Sequence, residues 1–139
     1  MGLESLVPDV ERCKRLKEMG FPQDTAFFWG EGIEEYLLLP HEEWEGFREQ
    51  WMYAFPKPVG KYAAPTFQEI WEALPDEVRE ENANALLVLS KNMEGTYLRY
   101  EDVPYAWFVE MGYSSPVLCA ADMWLWCAEN GHLKGASDV

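Results

Sequence analysis

Positive charge is scarce in this sequence, and histidine is scarcer. The 139 residues carry 11 Lys and Arg against 25 Asp and Glu, with two His, for a formal net charge of −14. Binding of nucleic acid through its phosphates needs clustered cations, so the charge argues against direct phosphate-backbone recognition and against anionic membrane surfaces. No apolar run approaches the roughly 18–20 residues needed to span a bilayer. Met1-Gly2-Leu3-Glu4 places no basic stretch ahead of an apolar one, so the expected location is cytoplasmic. Cysteine is limited to Cys13, Cys119 and Cys127. Each falls within an expected helix, as a small buried hydrophobe in a reducing compartment.

The same scarcity bounds the chemistry. His41-Glu42-Glu43 resembles the start of a zinc-protease helix, but position 45, where a second His is required, is Glu45. The other histidine, His132, lies beside a helix stop. Cys119 and Cys127 sit about 80° apart on one helix and look toward overlapping parts of the core, with nothing to supply further metal ligands. Ser114-Ser115 stands at a helix start and reads as a cap. Phosphate-cradling glycine loops and the Gly-x-Ser-x-Gly elbow are missing. Carboxylates are too numerous for a general acid to be chosen among them. No catalytic, cofactor-binding or metal-ligating residue is therefore assigned, and no cofactor is expected.

What the chain does have is apolar bulk. Hydrophobic residues make up 48% and aromatics 15%, enough to offset the ordering entropy of a folded domain. Seven Trp (Trp29, Trp44, Trp51, Trp71, Trp107, Trp124 and Trp126) exceed the needs of one small core, so one or two are expected at a groove or partner surface. Trp124 and Trp126, about 200° apart on a helix, must cover different surfaces.

Helical spacing predicts a first helix over 8–19, with its basic residues opposite the apolar stripe, closed by Gly20 and Phe21. A hairpin follows, with strands over 25–29 and 35–39 and a reversal at Gly30-Glu31-Gly32. A second helix runs from Pro40 to Ala54, and 55–61 is a loop. A third helix is capped by Thr66 with Glu69 as a reciprocal box and is stopped by Pro75. The acidic stretch 75–82 reads as a turn with room for an extra helical turn. Ala85–Leu89 reads as a central, doubly covered strand, and strands over 96–101 and 105–109 complete a three-stranded meander. The last helix starts at Ser115-Pro116, ends at Asn130-Gly131 and is apolar almost all round. The expected class is α+β: an antiparallel sheet (hairpin plus meander) packed with about four helices, in a single domain over 1–133, with a flexible tail at 134–139.

Three segments, CKRLKEMGFPQDTAFFW (Cys13 to Trp29), APTFQEIWEALP (Ala64 to Pro75) and AADMWLWCAENG (Ala120 to Gly131), resemble in order a group of small bacterial and phage-encoded proteins. The resemblance implies a small soluble α+β domain and carries no established activity. Together the acidic balance, the surplus Trp and the missing catalytic constellation point first to a non-catalytic module that binds another protein, or a second copy of itself as a homodimer. A small-molecule pocket or enzyme built from aromatics and carboxylates stands second. An acidic inhibitor that imitates DNA stands third.

Overall fold

The computed structural model describes residues 3–32, 35–54, 60–80, 83–93, 95–102, 106–113 and 115–133. The class is α+β, with four α-helices and two antiparallel sheets among those residues. The stretch read as one domain is organised as two compact units, Met1–Thr66 and Phe67–Val139, each with its own sheet. The tail at 134–139 lies outside the described residues.

In the first unit, helix α1 (Val10–Glu18) starts on Asp9, whose carboxylate accepts from the Arg12 backbone N–H. It ends as the sequence predicts. Gly20 takes φ +93°, and the Phe21 N–H reaches back to the Leu16 carbonyl at 2.8 Å, closing a Schellman cap. Strands β1 (Phe27–Glu31) and β2 (Tyr36–Pro40) form the expected hairpin, but Gly30 lies inside β1 rather than in the reversal. The reason is packing. Ring atoms of Phe47 and Trp44 stand 2.8 and 3.0 Å from where a Gly30 Cβ would be, so this glycine marks a close approach, not a turn.

Those rings come from helix α2 (Trp44–Ala54), which follows a 3₁₀ turn at His41–Glu43. Lys61, read as loop, opens a third strand, β3 (Lys61–Ala63), giving the sheet order β2-β1-β3. Alternation along β1 splits its side chains between two layers. Phe28 and Gly30 meet α2, and Trp29 joins Val7, Cys13 and Ala64 in a core on the other face.

In the second unit, helix α3 (Phe67–Ala73) begins straight after Thr66 and precedes strands β4 (Glu77–Glu80), β5 (Ala83–Asn92), β6 (Gly95–Asp102) and β7 (Ala106–Tyr113), then helix α4 (Pro116–Glu129). The sheet order is β4-β5-β6-β7, all antiparallel. Strand β4 replaces the expected acidic turn. Its one apolar residue, Val78, is buried opposite Ala85, and its charged neighbours alternate away. Strand β5 is not doubly covered: Leu86 is 49% and Leu89 41% exposed, and these two lie on opposite faces.

Thr96, Leu98 and Tyr100 turn to the α4 side and are buried. Helix α4 runs along β6 in the same direction. The Cys119 thiol donates to the Thr96 carbonyl at 3.3 Å, and the Cys127 thiol to the Tyr100 hydroxyl at 3.7 Å. Eight helical residues and four strand residues both span about 12–13 Å, so the two contacts stay in step. Ser115 occupies the N-cap, yet its hydroxyl makes no capping bond. Its carbonyl instead accepts from the Cys119 N–H. Ser114 lies outside the described residues.

Candidate functional site

The residues singled out for chemistry are used in packing. His41 sits on the 3₁₀ turn with its ring 5.6 Å from that of Phe28. His132 stacks on Trp126 at 5.2 Å. Glu42, Glu43 and Glu45 are exposed. Among the described residues no three His, Cys, Asp or Glu side chains converge as a metal-ligand set.

All three thiols are buried and free, and each donates its proton inside the fold. Cys13 gives its S–H to the Pro8 carbonyl at 3.4 Å, and burial pushes its pKa up to about 12. Burial pushes Cys127 up to about 11, against a smaller lowering from the Tyr100 hydroxyl. Tyr100 is itself raised, first by burial and then by Cys127. A thiol held protonated is a poor nucleophile, and burial holds Cys13 and Cys127 in that form.

Trp29, Trp44 and Trp124 are buried, and the Trp29 indole N–H donates to the Pro8 carbonyl at 3.0 Å. Trp71, partly exposed, stacks on Phe67 with centroids 5.7 Å apart. Trp126 lies against Tyr100 at 6.2 Å, while Trp124 is buried on a different side of α4. The side chains of Trp51 and Trp107 lie outside the described residues.

The cations show the clearest organisation. Lys14 and Lys17, one turn apart on α1, both reach the ring of Tyr62, at 5.6 and 5.2 Å, and Lys14 lies 4.8 Å from Tyr36. The Lys14 pKa is raised, chiefly by its bond to Tyr36. The Lys17 ammonium also donates to the Lys61 carbonyl at 2.8 Å. On the other face of the sheet, the Lys61 ammonium sits 4.2 Å from the Phe28 centroid and 4.9 Å from that of Trp44. Such cation–ring contacts strengthen where water is excluded.

The arginines pair with neighbouring carboxylates. Arg12 bonds Asp9 at 2.7 Å, Arg48 bonds Glu45 at 2.9 Å, and Arg79 bonds Glu77 at 2.8 Å. Arg99 bonds both Glu110 and Glu101, with the Tyr97 ring beside it, on the sheet face away from α4. Sequence reading set the basic residues of α1 opposite its apolar stripe. Lys14 and Lys17 in fact lie four and seven residues after Val10, on the same side of the helix, which is the signal that could have found them.

Carboxylates are treated differently. Glu18, Asp24, Glu35, Glu42, Glu43 and Glu49 are exposed, and no described cation pairs with them. Most of the described cations thus have a ring, carbonyl or carboxylate beside them, while these six carboxylates face water without one. Comparison with protein-family models, with curated proteins and with solved structures gave no match to this chain.

Proposed function

We propose that this protein is a non-catalytic, acidic interaction module whose partner is a basic protein. One observation carries the reading: most of the described lysines and arginines are held by rings, carbonyls and neighbouring carboxylates, while Glu18, Asp24, Glu35, Glu42, Glu43 and Glu49 face water with no described cation beside them. With a net charge of −14, the resulting field steers cationic surfaces toward the protein and repels nucleic acid. The buried thiols and the histidines set against aromatic rings support a non-catalytic role, and free thiols support a reducing, cytoplasmic setting. Among the described residues no helix is long and apolar enough to cross a membrane.

The test is capture from native cell extract on immobilised full-length protein, followed by a salt gradient. Basic proteins should be retained at low ionic strength and released as salt screens the contacts. A variant with Glu42, Glu43 and Glu49 each changed to Gln should retain less of them. Retention that is indifferent to both salt and these substitutions would overturn the reading.

A further inference from the structure

Among the described residues, the outer edge of β5 is unpaired over half its length. Strand β4 pairs with β5 only from Ala83 to Leu86, and the Leu87 N–H takes one more bond, to the Asp76 carbonyl at 3.0 Å. From Val88 to Lys91 the described residues supply a strand partner on the β6 side alone. Antiparallel strands point successive N–H and C=O pairs to alternate sides. Since Leu87 points outward, so do Leu89 and Lys91, while Val88, Ser90 and Asn92 bond to β6. Around these groups Leu89 is 41% exposed, and Ser90, Lys91 and Asn92 are exposed.

We infer that this edge is a self-association site, where β5 of one copy pairs antiparallel with β5 of a second about a two-fold axis at Ser90. In that register β5 of the second copy, which ends at Asn92, stops opposite Val88, one residue short of the place that Asp76 fills. The same register sets Leu89 opposite Lys91 of the second copy, joining both outward pairs through about four backbone hydrogen bonds. Centring the pair on Leu89 instead would drive Lys91 of the second copy into the place opposite Leu87, which Asp76 already fills.

With Ser90 on the axis, Lys91 of each copy lies next in line to Asp76 of the other. The two are about 7 Å apart along the strand line and project from the same face. Asp76 is exposed, and among the described residues neither it nor Lys91 has a partner of opposite charge. The dimer supplies two such pairs, and the stem of each Lys91 covers the exposed Leu89 opposite. Charge complementarity and the length of the vacancy thus select a second copy of this chain. The inference does not depend on the basic-partner reading, because Lys91 and Asp76 take no part in it.

Sedimentation velocity over a concentration series tests it on the full chain. Wild type should shift from monomer to dimer as concentration rises. Lys91→Asp and Asp76→Lys should each remain monomeric, and an equimolar mixture of the two should form the dimer again, since both cross-pairs become attractive. Lys91→Pro removes an outward N–H without touching the β6 ladder and should also abolish the dimer. Exchange of the Leu89 and Lys91 amides should slow as wild-type concentration rises. A monomer at every concentration, or a dimer untouched by both Lys91→Pro and the charge reversals, would overturn the assignment.

Discussion

Tyr100 holds Pro75. Its hydroxyl donates to the Pro75 carbonyl at 2.7 Å across 25 residues of sequence, and the same oxygen accepts the Cys127 thiol at 3.7 Å. The buried phenol thereby ties β6, the residue that ends α3, and α4 together. Removing the hydroxyl leaves a carbonyl and a thiol in the interior with one partner fewer. Tyr100→Phe should therefore cost about 1–3 kcal/mol, read as a lower urea midpoint with an unchanged slope.

The thiols predict an alkaline limit. Cys13 and Cys127 are raised by burial from 9.0 to about 12 and about 11. Below pH 9 the thiols are protonated in both folded and unfolded chains and contribute no pH dependence. Above it the unfolded chain releases protons that the folded chain keeps, so stability falls as pH climbs from 9 toward 11–12. Melting temperature followed from neutral to alkaline pH should show this fall, and a Cys13→Ala, Cys127→Ala variant should show a shallower one. A thiol reagent at mildly alkaline pH should label the cysteines only after denaturant is added.

Two glycines with opposite roles give a paired test. At Gly30 an added Cβ would meet Phe47 and Trp44 at 2.8 and 3.0 Å, so Gly30→Ala forces those rings to shift. The cost should be about 1–3 kcal/mol. At Gly46, within α2, nothing lies within 4 Å of an added Cβ. Gly46→Ala should raise stability by about 0.5–1 kcal/mol through helix propensity. Chemical denaturation of the two variants beside wild type checks both signs at once.

These pairs also show what the sequence could and could not convey. Caps and stops are local chemistry, so Gly20, Gly131 and Pro116 could be placed from their neighbours alone. The β6 alternation was equally plain, because Thr96, Leu98 and Tyr100 share one covered face. Gly30 was misleading because its glycine answers to Phe47, a residue 17 positions away that no local pattern reveals. Strand β4 hid for the same reason: a lone Val78 among acids becomes a strand only once Ala85 lies opposite it. The contact of Lys61 with rings is illegible as well, since it meets Phe28 and Trp44 only through the sheet.

Asp9 offers a prediction in which charge and geometry separate. Its carboxylate accepts from the Arg12 backbone N–H at 3.3 Å and from the Arg12 guanidinium at 2.7 Å. Burial alone would raise its pKa, but the bonds to Arg12 outweigh that and hold it below the ordinary 3.8. A folded value under the unfolded one means the contribution is complete above about pH 4 and is lost as pH falls through the folded pKa. Asp9→Ala removes the cap as well and should cost about 0.5–2 kcal/mol at neutral pH. Asp9→Asn keeps an acceptor for the Arg12 N–H, so it should cost less at neutral pH while flattening the loss of stability in acid. Asp9 adjoins Pro8, whose carbonyl anchors both Cys13 and the Trp29 indole, so Trp29 fluorescence should report the loosening of α1 directly. Equal acid profiles for Asp9→Asn and wild type would show that the ion pair with Arg12 contributes nothing beyond the cap.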